Sequence, residues 1–595
     1  MKLKDAIRTM LFKNKQAGFN QLYTKWGSRI NPDCVLPEYP RPQLRRSNYL
    51  ILNGYWNYSI SEEDKRPDSF EGKILVPFSP ESILSGVGRQ LEPDQILWYE
   101  RELLISYIPQ NMRCILHFGA VDQTCKIYIN NQMAGEHTGG YLPFSVDITK
   151  YIKYGSNLIT VSVTDLSDSS FHSRGKQKLK RGGMFYTAQS GIWQTVWMEW
   201  VPQLYIKSLR ITPVMSEDLV RIEISMNDDF DPIYAEYLFF QVDIYDQGRL
   251  LASTVSRLPV IELPFAGYIP WTPENPRLYD MVITAGEDRV ESYFAMRTVE
   301  IQKDEQGIPR IYLNGKPYFQ KGLLDQGYWP DGLYTPPSDE AMVYDIMKAK
   351  ELGFNMLRKH LKIEPLRWYY HCDRLGMLVW QDMVNGGEKY DMLLVGYLPT
   401  LFPKLATRIK DHRYRRFGRR NAEGRAEWMK ECADTVELLY NHPSIIVWVL
   451  FNEGWGQFDA ANAYEMVHRL DPTRLVDHAS GWFNQGCGDF VSIHNYFHPM
   501  KIKVHNKYPT VLSEYGGYAY YVKGHSYSLQ LYGYRLYLNR QDFIRAYREL
   551  EERINSLIDK GLAAAVYTQL SDVEDEVNGL LTYDREICKL DNTSS

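Results

Sequence analysis

At about residue 301 the sequence changes how it spaces its apolar residues, and this change constrains the fold more than any other feature. Before it, short segments alternate apolar and polar positions between Gly, Asn and Pro turns. KIYIN followed by Asn131 and Gln132 (126–132) puts Ile127 and Ile129 on one face of a hairpin-like unit. ITVSVTDL (159–166), WQTVWMEW (193–200), LVRIEISM (219–226) and YLFFQVDIYD (237–246) repeat the habit. From about 203 to 300 the strand spacing fits a small two-sheet sandwich. After 301, eight apolar segments read as buried strands with helical stretches between them: 317–325, 354–359, 376–383, 445–453, 475–480, 491–497, 510–516 and 563–571. In the first interval, Ser338 is a candidate N-cap. Asp339 and Glu340 follow where the helix dipole favours anions, and Gly353 is a candidate stop. Eight strand–helix units in about 295 residues have the size of a (β/α)₈ TIM barrel. The expected division is 1–202, 203–300 and 301–595 in a chain of 595 residues.

Two of these strands end in a carboxylate. IIVWVLFNEGWGQFD (445–459) carries Glu453, and TVLSEYGG (510–517) carries Glu514. Barrel enzymes place their chemistry at the carboxyl ends of the strands. Two acids there suggest an acid/base and a nucleophile for cleaving a glycosidic bond. The glycosidic oxygen is a poor leaving group, so one carboxyl must hold a proton and deliver it. Trp448, Phe451 and Trp455 are partly apolar neighbours of Glu453, and desolvation by such neighbours favours the protonated form of a carboxyl.

Composition narrows the partners. A net charge of −5 argues against nucleic acid. The one basic stretch, HRYRRFGRR (412–420), reads as a solvated loop bordering the active face. Aromatic residues reach 14%, with 44 Tyr and 14 Trp, which suits stacking on pyranose rings. Seven scattered cysteines contain no CxxC pair, so neither a zinc site nor a disulfide framework is indicated. MKLKDAIRTMLFKNK at the start has no apolar core of a signal peptide, and no apolar run of membrane-spanning length occurs. A cytoplasmic protein without membrane contact is the expectation.

Several segments, in order, resemble glycoside hydrolase family 2, which includes β-galactosidases, β-glucuronidases and β-mannosidases. PRPQLRRSNYLILNGYWNYSI (40–60) is similar to the family's opening segment. GEHTGGYLPFSVDIT (135–149) and SGIWQTVWMEW (190–200) resemble its sugar-binding domain. WTPENPRLY (271–279) and MRTVE (296–300) resemble the end of its second domain. LNGKPYFQKGLL (313–324), LGFNMLRKH (352–360), NHPSIIVWVLFNE (441–453) and LSEYGG (512–517) resemble barrel motifs. The resemblance implies a jelly-roll-like β-sandwich, an immunoglobulin-like β-sandwich and a catalytic TIM barrel. It also implies a retaining exo-β-glycosidase, best read as β-galactosidase-like and acting on a small carbohydrate or glycoside. A β-glucuronidase or β-mannosidase-like hydrolase and a non-catalytic carbohydrate-binding protein stay open. Relatives often associate, so a homo-oligomer is admitted.

The same resemblance assigns roles. Glu453 is the acid/base and Glu514 the nucleophile. Asn452 bonds the sugar 2-hydroxyl, Arg358 orients Glu514, and Tyr496 hydrogen-bonds it. Asp325, His360, Asp382 and His494 lie at predicted strand ends as candidates for sugar hydroxyls. His442, in NHPS, is expected to pack or turn. A carboxyl separation of about 5–5.5 Å would imply retention, and about 6.5–9.5 Å inversion.

Three departures from the family pattern matter. The Asn-x-Lys motif of glucuronide-cleaving members is missing from LSDVEDEVNGLLTYDR (570–585). That stretch is acidic at Asp572, Glu574, Asp575 and Glu576, and like charges would disfavour a uronate. WQDMVNGGEKY (380–390) lacks the Glu-x-His of magnesium-dependent β-galactosidases, so no metal or other cofactor is expected. Thr568 stands where many relatives have Trp, which leaves Trp482 as the candidate floor for the sugar.

Overall fold

The computed structural model describes residues 20–227 and 238–591. The start of the chain and Tyr237 of the YLFFQVDIYD segment lie outside the described residues. The N-terminal part is a sandwich of a four-stranded and a six-stranded sheet built from strands between Tyr49 and Pro202. The predicted hairpin forms there: Thr124–Ile129 pairs antiparallel with Gln132–Thr138. Asn130 and Asn131 turn it with φ of 51° and 66°, a conformation Asn tolerates well. Ile127 and Ile129 both point into the sandwich core.

The strands from Ile206 to Phe294 make a second sandwich, of three and four strands, around Ile211, Ile222, Val242 and Ile283. The barrel follows. Its strands are β1 (Gln320–Asp325), β2 (Met356–Lys359), β3 (Leu378–Asp382), β4 (Ile445–Val449), β5 (Leu475–Asp477), β6 (Val491–Asn495), β7 (Thr510–Gly516) and β8 (Leu562–Thr568). Each falls inside or beside its predicted segment. All paired neighbours run parallel, in the order β5-β4-β3-β2-β1-β8-β7-β6. Within that ladder β5 and β6 are not paired, so the sheet is nearly closed.

The expectation of eight strand–helix units needs correction. Among the described residues, five long helices pack outside: α1 (Asp339–Glu351), α2 (Leu366–Leu375), α3 (Ala422–Leu439), α4 (Ala460–Leu470) and α5 (Arg540–Ile558). Among the described residues, β5 joins β6, and β6 joins β7, through loops without a helix. The β5–β6 loop is rich in Gly and Asn, and the β6–β7 loop carries Pro499 and Pro509, neither composition favouring a helix. The α1 reading holds: Ser338 accepts from the Ala341 amide at 3.2 Å, and Gly353 follows the helix with φ of 82°.

Period 2 along the strands sorts side chains between lumen and helix layer. Val447 and Val449 of β4 join the luminal cluster with Met356, Trp380 and Val566. Trp448, between them, packs with the helices and donates to Asp471 at 2.9 Å. No helix of the described residues is long and apolar enough to cross a membrane.

Candidate active site

The strand parity that builds the lumen also selects the polar side chains at its mouth. Arg358 shares the inward parity of Met356 in β2, and Asp382 that of Leu378 and Trp380 in β3. The guanidinium of Arg358 is buried among acceptors. It donates to Asp382 at 3.0 and 2.8 Å, to Asn452 Oδ1 at 2.8 Å, to the Ser513 carbonyl at 3.0 Å and to Glu514 Oε1 at 3.1 Å. One residue thus fixes three of the predicted site side chains. A planar fork suits that task where a lysine would not.

Glu514 is held from the other side by Tyr496, whose hydroxyl donates to Oε2. That hydroxyl also lies 3.0 Å from Thr568 Oγ1, and its ring stacks on Tyr534 at 3.6 Å. Burial alone would raise the Glu514 carboxyl. The charges of His494 and Arg358 and the Tyr496 hydrogen bond outweigh it and hold the group below its ordinary value. His360 places Nδ1 2.6 Å from Asp382, and burial drives its imidazole well below the usual range.

Glu453 enters from the loop after β4. Its φ is 53°, in the left-handed region that disfavours an L-residue with a side chain. Its amide donates to the Ser480 carbonyl at 3.0 Å, and Gly454 and Gly456 follow at φ of 75° and 65°. His494 stands between the two acids, with Nδ1 2.9 Å from Glu453 Oε1 and Nε2 3.6 Å from Glu514 Oε1. Its Nε2 also lies 3.0 Å from Ser480 Oγ, linking the ends of the unpaired strands. An oxygen of Glu453, a ring nitrogen of His494 and an oxygen of Glu514 all lie within 4.8 Å of one another. These are the atoms of the mouth that could converge on a cation.

Not every expected residue joins this group. Asp325 has the outward parity of Leu323. Its carboxylate accepts from Lys359 at 2.6 Å and from the Gly327 amide at 2.9 Å, so it enters an outer network with Glu364. A sugar hydroxyl would have to compete with that ammonium. Of the three aromatic neighbours expected around Glu453, Phe451 stacks on Trp428 at 4.5 Å and Trp448 faces the helices. Trp455 does line the cavity beside Glu453. That cavity, of about 530 Å³, is also walled by Trp482, His494, Tyr496 and Tyr534. Trp482 meets His494 edge-on at 5.5 Å.

The basic stretch 412–420 is only partly solvated. Arg419 is buried, donates to the Gly456 carbonyl at 2.9 Å, and is lowered to about 10 by burial. His442 is buried with Nδ1 2.7 Å from Asp373, a packing role as expected.

The acidic stretch is partly neutralised. Asp572 pairs with Lys589 at 2.7 Å. Arg181 pairs with Glu574 at 3.0 Å and Asp575 at 3.2 Å, and Glu576 accepts from Tyr186 and from Gln569. Arg181 and Tyr186 come from the first sandwich, in a loop that sequence reading passed over. The run HSRGKQKLKRGG (172–183) looks like a solvated charged turn until the domains are assembled. Asp477, at the end of β5, is a second omission: it is buried, and burial raises it to about 6 against the lowering effects of Ser492 and Arg358.

Comparison with known proteins agrees with the architecture. A model described as "Glycosyl hydrolases family 2, sugar binding domain" matches residues 89–202, and "Glycosyl hydrolases family 2, TIM barrel domain" matches 309–586. A putative beta-glucuronidase of Formosa agariphila is 28% identical over 403 residues, covering 63% of this chain and 44% of that protein. A beta-galactosidase of Thermoanaerobacter pseudethanolicus is 24% identical over 454 residues, covering 72% and 55%. The chain thus spans about half the length of these curated relatives. A solved beta-D-glucuronidase of Dictyoglomus thermophilum superposes with a TM-score of 0.71 at 17% identity, covering 93% of this chain and 97% of that one. A GH2 beta-galacturonidase of Eisenbergiella tayi gives 0.68 at 18% identity, covering 93% and 96%. At such identities the likeness concerns the fold.

Proposed function

We propose that this chain, which belongs to glycoside hydrolase family 2, hydrolyses a terminal non-reducing β-linked sugar with retention of configuration. The observation that supports this reading best is the pairing of Glu453 and Glu514, with carboxylate oxygens within 4.8 Å across one mouth. That distance suits the short separation of retaining enzymes and leaves little room for a water between them.

In this reading Glu514, ionised and held by Arg358 and Tyr496, attacks the anomeric carbon. The bond to the leaving group breaks as Glu453 gives its proton to the glycosidic oxygen. The product of this step is a sugar ester of Glu514. Glu453, now ionised, takes a proton from water, and the resulting oxygen displaces Glu514 and completes hydrolysis. Asn452, oriented by Arg358, and His360, oriented by Asp382, are the groups proposed to meet sugar hydroxyls.

The sugar itself lies within the class that the relatives' names span, β-galactosides and β-uronides. The acidic stretch 572–576 argues less against the second than its composition suggests, because Lys589 and Arg181 offset two of its four charges. A panel of 4-nitrophenyl β-glycosides tests the reading. Wild type is expected to release nitrophenol and a monosaccharide, with the β anomer formed first by NMR. Glu514→Gln is expected to lose roughly 10²–10⁴-fold or more. No turnover by wild type, an inverted first product, or undiminished turnover in the variant would overturn it.

A further inference from the structure

We propose that the terminal sugar carries an anionic substituent, a carboxylate or a sulfate ester, and that Lys176 of the first sandwich selects it. The proposal rests on the glycosidase reading above and goes beyond it in naming the substrate class and the residue.

The loop that carries Lys176 is fixed against the barrel mouth. The amides of Arg174 and Gly175 donate to the Asn385 carbonyl, just past β3, at 2.9 and 3.0 Å. Gly175 has φ of 60°, and a Cβ there would come within 2.9 Å of the Leu361 carbonyl oxygen. Only glycine permits this approach to the end of β2. The next residue, Lys176, is 7% exposed. Its Nζ lies 5.6 Å from the Tyr186 ring and 5.7 Å from the Trp455 ring. Of the neighbouring charges acting on His360, that of Lys176 ranks first, and it also reaches Asp382 and Glu576. The ammonium therefore lies near enough to His360 and Asp382 to act on both, and beside Trp455, which lines the cavity.

Several other buried cations of this region are matched by carboxylates, while Arg174 and Arg419 donate to backbone carbonyls. Arg358 has Asp382 and Glu514, Lys359 has Asp325 and Glu364, Arg181 has Glu574 and Asp575, and Lys589 has Asp572. Lys176, among the described residues, has no hydrogen bond or ion pair within 4.0 Å through Nζ. Two fully buried groups of the same corner lack hydrogen-bond partners: the indole N–H of Trp455 and the carboxamide of Asn385. The side chain is nearly buried while Nζ keeps a little contact with water, and a partly desolvated ammonium without a counter-charge is stabilised by a substrate-borne anion. A neutral sugar would leave the cation unmatched. The nearby carboxylates cannot supply its charge at contact, because Asp382 is engaged by Arg358 and His360, and Glu576 by Tyr186 and Gln569.

The test combines binding with turnover, so that the two proposals fail separately. Calorimetry on the full chain would compare D-glucuronate, D-galacturonate and galactose 6-sulfate with glucose and galactose. At least one anionic sugar is expected to bind tenfold or more tightly than either neutral one. Preference among the three distinguishes carboxylate from sulfate ester. Lys176→Met is expected to reduce that ratio at least tenfold, and Lys176→Arg to keep most of it, with thermal unfolding confirming that both fold. The matching nitrophenyl glycosides should show the same change, chiefly in KM. Neutral sugars binding as well as all the anionic ones, or a ratio unmoved in Lys176→Met, would overturn the proposal even if the enzyme is an active glycosidase. Selective anion binding without any turnover would instead sink the glycosidase reading and leave Lys176 as an anion site.

Discussion

Replacing Tyr496 with Phe removes one hydrogen from Glu514 and leaves almost everything else in place. The ring keeps its stack on Tyr534 at 3.6 Å, and Arg358 still donates to Oε1 at 3.1 Å. The group lost is a neutral donor to an ionised acceptor, an interaction worth about 1.5–3 kcal/mol. Removing it destabilises the carboxylate but not the carboxylic acid, so Glu514 takes up a proton more readily. The sign follows: the acid limb of kcat/KM moves to higher pH. At a pH below the wild-type limb, activity should fall by about 10–100-fold, since every 1.4 kcal/mol is tenfold. On the plateau the loss should be smaller, because Arg358 and His494 still act on the carboxylate. The assay is a pH profile of kcat/KM on a nitrophenyl glycoside, which reports groups of the free enzyme. Thr568→Val, which touches only the other partner of the Tyr496 hydroxyl, should displace the limb less. An acid limb that stays put or moves to lower pH in a folded Tyr496→Phe would refute the reasoning.

Two further outcomes follow from buried charge. Lys359→Met strips the cation from Asp325 and Glu364, whose contacts are 2.6 and 2.8 Å, and should cost about 3–5 kcal/mol in urea unfolding; a loss below about 1 kcal/mol would show the network to be dispensable. Burial would raise the Glu199 carboxyl, but Arg41 at 2.8 Å, His117 and Arg46 at 3.2 Å hold it well below the ordinary 4.5. Its contribution is therefore present above about pH 4.5 and lost as the pH falls toward the folded-state value. The gap in melting temperature between wild type and Glu199→Gln should narrow on acidification, and a gap that widens would contradict the assignment.

The barrel was legible because parallel strands covered on both faces read as continuous apolar runs, which is how β4 and β7 appear in the sequence. The proposed catalytic pair was legible for the same reason, since each acid ends such a run. Parity was harder to read. A run such as IIVWV does not say which side chains face the lumen, so Trp448 was expected beside Glu453 and Asp325 beside the sugar. The lateral wall of the site was not legible at all. It comes from residues 172–186, distant in sequence and polar in composition, and their burial exists only once two domains meet. The missing helices around β6 had no strong local signal against them beyond the Gly, Asn and Pro content of the joining loops.

Glu453 holds its carboxyl on a left-handed backbone at φ 53°, a conformation that costs a residue with a Cβ about 1–2 kcal/mol. Glycine would relax there at once, and asparagine would fit more easily than glutamate. Drift at this position therefore runs downhill in folding energy toward chains that have lost the proposed proton donor. A glutamate persists at 453 only while something other than stability keeps it, so the most robust descendants of this protein would be inert in the proposed reaction.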